Sequence, residues 1–517
     1  MKRFIAQHAS KITGVLSGFD RLVIRGTLRK ISYTAGMFLF LCFRRVLLKD
    51  FGRFADDSTA RLKNAIEDHA ERLGRPAIYL PSSQTNKETR ARDILEKDGA
   101  ADGLIAIFKT LEMAQSFDLY RNAKMKKLEL TPRVRRSLHY YCYLQDPVFG
   151  FMHARIQTWF PFRIQVGLNG REWLARQMDA AGLNYRRRDN CFVWIEDIEA
   201  AQRLMDLHLK TDWPKTLNRF AQMLNPVHRH IFGSFNVDYY WSVYQSEWAT
   251  DLAFAQAKEL AKLYPAFVRH GIESFSSLDV MRFLGHRLRQ STFEGEIVSG
   301  FKGRAEGVRL KHWVNSNSVK IYDKQGSVLR VETTVNNPRV FKVWRRSEAG
   351  TKDDFRWRPL RKGVADLHRL AKVSQSSNAR YLEALAAVDT STPLGELIRP
   401  VTRPVTFKGR RVRGLRPWSD EDLALFKAVG RGEFALNGFR NRDLQPHLFT
   451  APAKDDAEHR RHSAKISRLL RLLRAHQLIR KIAHTHRYQI TQKGRDLMTP
   501  LLVAQVLTPL QLSTVVA

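Results

Sequence analysis

The stretch NSVKIYDKQGSVLRVET, residues 317–333, contains two runs of alternating polar and aliphatic residues on either side of a glycine turn. Such alternation predicts two antiparallel strands joined as a hairpin. A three-residue loop over 325–327 would place Lys320 opposite Glu332, whereas a two-residue loop would place an isoleucine opposite Arg330. The longer loop keeps one face of the hairpin apolar and brings opposite charges together, so we predict that register.

The same hairpin resembles a strand pair of rolling-circle replication initiators of phages and plasmids, through its segments YDK at 322–324 and LRVE at 329–332. Those enzymes also need a metal-binding His-hydrophobic-His element, and the corresponding segment here, His228-Arg229-His230, has arginine at its centre. We therefore predict a polar sheet face that contacts phosphate, with pairing of its own charges as the alternative. The predicted nucleic-acid contacts of this hairpin are Lys320, Tyr322 and Arg330.

The composition favours a polyanionic partner. The 517 residues carry a formal net charge of +36, and 44% of them are hydrophobic, which is typical of a globular protein. Such a length predicts about three or four domains. The positive charge exceeds what solubility requires, so DNA or RNA is the expected partner and an anionic membrane surface is the second choice.

Several features predict a cytoplasmic protein without a membrane segment. The longest apolar run, Thr34–Phe43, is followed by two arginines after about half the length of a membrane span. The basic N-terminus is not followed by the apolar region of a secretory signal. The three cysteines are far apart and odd in number, which argues against a disulfide framework.

The N-terminal third alternates extended and helical patterns. Phe19–Gly26 predicts a strand, and 54–73 a charged amphipathic helix. Gly103–Leu111 is a nearly continuous apolar run, typical of a strand buried on both faces of a parallel sheet. These patterns predict an α/β domain over residues 1–135.

The rest of the chain predicts an α+β multidomain protein. Residues 136–300 indicate a β-rich section and then a mostly helical one, which includes a helix over 239–264. Residues 301–398 contain the hairpin and a helical section. Residues 399–416 carry seven basic and no acidic residues, which predicts a basic linker. Its predicted nucleic-acid contacts are Arg410, Arg411 and Arg413.

Residues 417–517 predict three helices, a β-hairpin and a closing helix. The segment 463–474 places its leucines on one face and its basic residues on the other. This order resembles the winged helix-turn-helix domains of MarR-like regulators, and the wing signature of that family is matched by Leu478, Tyr488 and Gly494. The resemblance implies nucleic-acid contact by the second helix of the motif and by the wing. The predicted contacts are Lys465, Ser467, Arg468, Arg471 and Arg487.

Four carboxylates resemble, in outline, the catalytic set of DEDD-type transposases. RNase H-like enzymes hold two metal ions with about three or four carboxylates from the first strand, a later strand and a late helix. Asp20 lies in the first predicted strand, Glu112 follows the strand 103–111, and Glu247 and Asp251 are four residues apart in the predicted helix. The resemblance implies an RNase H-like N-terminal domain and catalysis by all four. It further implies Mg²⁺ or Mn²⁺ held by Asp20, Glu112 and Asp251, the alternative being that these acids pair with arginines.

Three functions remain open from the sequence. The first is a DNA-binding or structured-RNA-binding protein of a mobile genetic element, because the segment GFDR at 18–21, the hairpin and the C-terminal end resemble large bacterial proteins of that kind. The second is a metal-dependent nuclease or transposase. The third is a winged-helix transcription regulator. The oligomeric state is also open, with a homodimer as one alternative.

Overall fold

The computed structural model has a mixed α and β architecture with two large hydrophobic cores. The first core contains residues from Phe4 to Ala386, and the second contains residues from Val401 to Leu501. The structure describes residues 1–506 except for 82–84, 100, 274, 276, 286–296, 305–306, 348–353, 387–392, 431–433, 435–437, 450, 452 and 483–484.

The elements around the first core are helices on a large sheet. The helices are α1 Lys2–Gln7, α2 Thr34–Phe43, α3 Phe51–Arg72, α4 Lys87–Lys97, α5 Gly170–Ala180, α6 Ile198–Leu207, α7 Trp213–Leu224, α8 His228–Phe232, α9 Ala257–Glu273, α10 Ser277–Leu284 and α11 Leu367–Leu385. The strands are β1 Ile12–Leu28, β2 Ile78–Tyr79, β3 Gly103–Asn122, β4 Lys127–Asp146, β5 Gly150–Gln157, β6 Ile164–Asn169, β7 Tyr185–Arg188, β8 Cys191–Ile195, β9 Tyr239–Phe254, β10 Ile297–Arg304, β11 Gly307–Val314, β12 Asn317–Lys324, β13 Val328–Val335, β14 Lys342–Arg346 and β15 Phe355–Pro359.

Eleven strands form one sheet in the order β10-β11-β12-β13-β9-β1-β6-β5-β4-β3-β2. Among these described strands, only β2 and β3 pair in parallel. The predicted domain boundary after residue 135 falls inside β4, and the boundary after residue 300 falls inside β10. Both boundaries are therefore wrong, because strands from all three predicted sections share one sheet and one core.

The quoted hairpin has the predicted register. Lys320 lies opposite Glu332 and Tyr322 lies opposite Arg330, with a loop over 325–327. Gly326 in that loop has a φ of 71°, which a glycine adopts without strain. Charge pairing and the apolar face were sufficient to predict this hairpin.

The helix predicted over 239–264 is wrong in its first part. Residues up to Phe254 form β9, and α9 begins at Ala257. The segment is rich in aromatic and β-branched residues, which favour strands. The four-residue spacing of Glu247 and Asp251 would put both side chains on one face of a helix, but it puts them on one face of a strand as well.

One buried amide attaches α11 to the sheet. Asn378 on α11 donates to the carbonyl oxygens of Trp248 on β9, at 3.0 Å, and of Val331 on β13, at 2.9 Å. Its own oxygen accepts a hydrogen bond of 2.7 Å from the Thr333 hydroxyl. Asn378 is fully buried, so these bonds satisfy polar groups that water does not reach.

The second core belongs to a C-terminal module. Its elements are α12 Leu394–Thr402, β16 Val405–Phe407, β17 Arg410–Val412, α13 Asp420–Val429, α14 Asn441–Leu448, α15 Asp456–Ala475, β18 Ile479–Lys481, β19 Tyr488–Ile490 and α16 Gln492–Val506. The predicted linker over 399–416 is wrong, because Val401 and Leu415 are buried in this core and the Leu415 amide donates to the Val401 carbonyl.

The order of elements after residue 417 follows the prediction in the part that the structure describes. β18 pairs with β19, and Phe439 forms an additional bridge to Tyr488. A Cβ atom at Gly494 would lie 2.2 Å from the Leu478 carbonyl oxygen, so glycine allows α16 to start against β18. The predicted hairpin tip includes Ala483 and His484, which lie outside the described residues. No described helix of the chain is long and apolar enough to cross a membrane.

We expect Asn378→Ala to lower the free energy of unfolding by about 1–3 kcal/mol, because buried polar groups of β9, β13 and Thr333 would lose their partner. Chemical denaturation followed by circular dichroism measures this loss. Gln375→Ala is the matched control, because Gln375 is exposed on the same helix. Equal stability of the two variants would show that the buried amide does not hold α11 on the sheet.

Candidate functional site

One face of the large sheet carries charged side chains across neighbouring strands. Arg330 on β13 lies opposite Asp251 on β9 and opposite Tyr322 on β12. Two residues further along β13, Glu332 lies opposite Lys320. Because side chains alternate along a strand, all five belong to the same face.

A β-bulge adds Asp20 to this face. Phe19 pairs with Trp248 and Arg21 pairs with Glu247, so β1 has one extra residue between two successive partners on β9. The Asp20 carboxylate lies 3.1 Å from Nη1 of Arg330 and accepts a hydrogen bond of 2.9 Å from the Asn190 amide.

Two arginines surround the Asp251 carboxylate. Arg330 donates from Nε and Nη2 over 2.6 and 2.9 Å, and Arg171 donates from Nη2 over 2.9 Å. Both arginines are fully buried. Burial alone raises the pKa of Asp251, but the two guanidinium groups bring that pKa below its usual value. Asp251 is therefore a structural anion.

The position of Arg171 is fixed by the start of α5, where Arg171 is the second residue of the helix. The Asn169 side chain accepts hydrogen bonds from the backbone amides of Arg171, at 2.8 Å, and Glu172, at 3.2 Å, which caps the helix. A Cβ atom at Gly170 would lie 1.7 Å from the Phe19 carbonyl oxygen. Glycine is thus required for α5 to start against β1, close enough for Arg171 to reach Asp251.

A second group of charged side chains lies beside the ion pairs of Asp251. Asp20, Glu247 and Glu332 each offer a carboxylate oxygen, and these atoms lie within 4.8 Å of one another. We call these three residues the carboxylate triad. The Lys320 ammonium contacts Glu332 and lies 3.7 Å from Glu247.

Burial and mutual repulsion change the protonation of the triad. Burial raises the pKa of Glu332 to about 7; Lys320 opposes this rise, and Glu247 and Asp20 add to it. Burial lowers the pKa of Lys320, but the neighbouring carboxylates bring it well above its usual value. Lys320 therefore stays charged at neutral pH, whereas Glu332 is close to its titration midpoint.

A cavity of about 200 Å³ adjoins the triad. Asp20, Glu247 and Asn190 line it on the side of the charge cluster, and the exposed Arg21 lies at the same cavity. The rest of the lining consists of Glu88, Arg92, Phe151, Met152, His153, Gly167, Leu168, Asn169 and Asp189. Two members of the triad, Asp20 and Glu247, therefore border open space, whereas Glu332 does not line the cavity.

The structure brings together only part of the predicted catalytic set. Asp20 and Glu247 are neighbours, but Asp251 is neutralised by its arginines. Glu112 lies on β3, which is separated from β1 by β6, β5 and β4, and it accepts hydrogen bonds of 2.5 Å from Tyr141 and Arg155. The predicted metal set of Asp20, Glu112 and Asp251 is not assembled.

Glu332 is the member of the triad that the sequence did not indicate as a site residue. The hairpin pattern correctly predicted that Glu332 pairs with Lys320. Because this ion pair accounts for the charge of the Glu332 carboxylate, the sequence offers no reason to expect a further role for it. Its contact with Asp20 and Glu247 depends on β13 lying beside β9, which no local pattern shows.

The predicted nucleic-acid contacts divide into buried and exposed groups. Lys320, Tyr322 and Arg330 are buried rather than at the surface. Lys320 and Arg330 pair with carboxylates within the sheet, and Tyr322 lies beside Lys320. Arg413 forms a bidentate pair of 2.9 and 2.6 Å with the buried Asp422 and is likewise structural. Arg410 and Arg411 are exposed on β17.

The predicted contacts of α15 are on its outer face. Ile466, Leu470 and Leu473 are buried in the second core, as predicted. Lys465, Ser467 and Arg468 are exposed and Arg471 is half-buried. Arg487 is half-buried and donates to the Gly438 carbonyl at 3.2 Å.

No protein-family model, curated protein or solved structure matches this chain.

We expect Arg330→Met to lower the free energy of unfolding by about 3–5 kcal/mol at pH 7, because Asp20 and Asp251 would remain buried without their main partner. The lowered pKa of Asp251 makes its ionised form stabilising above the usual carboxyl range, and this contribution is lost as the pH falls. In the variant, burial is no longer opposed by Arg330 and raises the pKa of Asp251, so Asp251 takes up a proton as the pH falls and the buried charge disappears. The difference between variant and wild type should therefore shrink from pH 7 to pH 4.

Urea denaturation at both pH values measures this difference, with the exposed Arg188→Met on β7 as control. A small loss that does not depend on pH would contradict the role of Arg330 as a buried counter-ion.

Proposed function

We propose that the protein binds nucleic acid, DNA or structured RNA, through a winged helix-turn-helix in its C-terminal module. The observation that carries this proposal is the exposed cationic face of α15, whose opposite face is fixed in the second core. A helix of this kind presents its outer residues to the major groove of a duplex. Lys465, Ser467 and Arg468 are the residues in that position.

The packing of α14 on α15 supports the helix-turn-helix assignment. The Asn441 amide at the start of α14 donates to the Ser463 carbonyl and to the Ser467 hydroxyl, both at 2.8 Å. These bonds fix the angle between the two helices. The hairpin β18–β19 follows α15 in the position of a wing, and Phe439, which precedes α14, forms a bridge to Tyr488 of that hairpin.

The hairpin β16–β17 extends this surface. The Arg474 guanidinium lies 5.5 Å from the centre of the Phe407 ring, so the hairpin packs beside α15. The exposed Arg410 and Arg411 therefore add positive charge close to the helix. Phosphate contacts of this type supply affinity without sequence preference.

The biological setting that we propose is a mobile genetic element. This part of the proposal comes from the sequence resemblance of the segment 18–21, the hairpin 317–333 and the C-terminal module. The high positive charge agrees with a protein that handles long polyanions.

We expect Lys465→Gln/Arg468→Gln to weaken binding to duplex DNA and to flatten its salt dependence. Each lost phosphate contact reduces the slope of log K against log salt by about 0.9. Electrophoretic mobility shifts at several salt concentrations measure this slope. The control is Lys372→Gln/Lys427→Gln, which removes two exposed charges from α11 and α13. If both double variants bind like wild type, α15 does not contact the duplex and serves protein contact instead.

The carboxylate triad favours a second candidate function, metal-dependent cleavage of phosphodiesters. Asp20, Glu247 and Glu332 offer hard oxygen ligands close enough for one Mg²⁺ or Mn²⁺ ion. The Thr334 hydroxyl is buried and has no hydrogen-bond partner among the described residues, and Thr334 lies opposite Glu247 in the sheet. A bound cation would supply Lewis-acid activation of a phosphoryl oxygen or of water. Lys320 would balance the charge of the remaining carboxylate oxygens.

We expect Mn²⁺ to raise the midpoint of thermal unfolding of the wild type, because a ligand that binds only the folded state stabilises it. The rise should be larger at pH 8 than at pH 6, since protonation of Glu332, with a pKa of about 7, competes with the metal. Glu247→Gln and Glu332→Gln should lose the effect.

Glu112→Gln is the matched control for Glu247→Gln, because Glu112 is half-buried like Glu247 and lies far from the triad. Its response to Mn²⁺ should equal that of the wild type. Cleavage of DNA and RNA is then assayed with Mg²⁺ or Mn²⁺. Absence of any thermal shift in the wild type would exclude the triad as a metal site under these conditions.

A further inference from the structure

The strands β3 and β4 continue together beyond the large sheet. They pair with each other from Gly103 to Asn122, but β4 pairs with β5 only from His139 onward, and β3 pairs with β2 only at Phe108 and Lys109. Beyond these positions the described residues show a two-stranded ribbon that ends in a turn over 123–126.

The base of this ribbon is fixed to the body. Phe117 and Leu130 are buried in the first core. The Ser116 hydroxyl donates to the Phe160 carbonyl at 3.0 Å, and the Gln157 amide donates to the Gln115 carbonyl at 3.1 Å. The outer part, residues 120–129, therefore projects from a rigid base.

The ribbon is strongly basic. Residues 118–136 contain seven basic residues, Arg121, Lys124, Lys126, Lys127, Arg133, Arg135 and Arg136, and two acidic ones, Asp118 and Glu129. Both acids have partners within the ribbon: Asp118 pairs with Arg133 at 3.0 Å, and Glu129 accepts from Asn122 at 3.0 Å. Arg121, Lys124 and Lys126 are exposed at the tip and form no ion pair within the described structure.

Apolar side chains accompany these charges at the tip. Tyr120 is 56% exposed and Met125 is 62% exposed. Exposed apolar and cationic side chains thus lie together at the tip, and a groove with apolar and anionic walls accommodates both kinds of side chain. The major groove of DNA has this character, because thymine methyl groups lie between two phosphate backbones.

The shape of the ribbon fits the major groove of B-form DNA but not that of A-form RNA. The major groove of B-form DNA is about 12 Å wide and admits a two-stranded β-ribbon, whereas the major groove of A-form RNA is deep and too narrow for it. We propose that the β3–β4 ribbon is a second nucleic-acid-binding element, which inserts into the major groove of B-form DNA. This inference rests on the proposed function and adds duplex DNA as the target.

The test compares two fourfold variants of the full-length chain. Arg121→Gln/Lys124→Gln/Lys126→Gln/Lys127→Gln removes the charges of the ribbon tip. The control, Lys215→Gln/Lys258→Gln/Lys262→Gln/Arg269→Gln, removes four exposed charges from α7 and α9. The ribbon variant should bind duplex DNA more weakly, with a salt slope that is flatter by up to about 4, whereas the control should keep the wild-type slope. Binding of duplex RNA should be the same in the ribbon variant and the wild type.

A second measurement maps the groove that each protein contacts. Methylation of guanine N7, which lies in the major groove, should interfere with binding of the wild type at more positions than with binding of the ribbon variant, because only α15 would then remain in the major groove. The same interference pattern in both proteins, or equal losses on DNA and RNA in the ribbon variant, would overturn the inference. Wild-type protein that binds no nucleic acid at all would refute the proposed function itself. DNA binding with an unchanged slope in the ribbon variant refutes only the role of the ribbon.

Discussion

The Arg330 guanidinium between the carboxylates of Asp20 and Asp251 determines how the centre of the sheet can assemble. These residues come from β13, β1 and β9, which are far apart in sequence and adjacent in the sheet. A buried charge is tolerated only with a complete set of partners. Since a shift of one residue in any of the three strands would turn its charge to the opposite face, the ion pair fixes their register.

The same constraint creates the candidate metal site. Glu332 follows Arg330 by two residues and therefore lies on the same face, and the bulge that delivers Asp20 to Arg330 also brings it to Glu247. Asp20 thus belongs both to the ion pair with Arg330 and to the carboxylate triad. The two groups differ in protonation, because Asp251 is held ionised whereas Glu332 has a pKa of about 7.

Local patterns in the sequence predicted those elements whose charges and apolar faces are satisfied by near neighbours. The register of the hairpin followed from Lys320 and Glu332, and the apolar face of α15 followed from its leucines. Contacts between distant segments were not predictable in this way. Arg413 looked like part of a solvated basic run, but Asp422 neutralises it inside the module. Glu112 ends an apolar run as a catalytic acid would, yet the intervening strands keep it away from Asp20.

The pairing of β1 with β9 also bears on how the chain folds during synthesis. Ile12 pairs with Phe254, and the two strands remain neighbours along almost their whole length. Contacts so distant in sequence form slowly, because a long loop must close first. Until β9 leaves the ribosome, β1 exposes an unpaired edge that can associate with other chains.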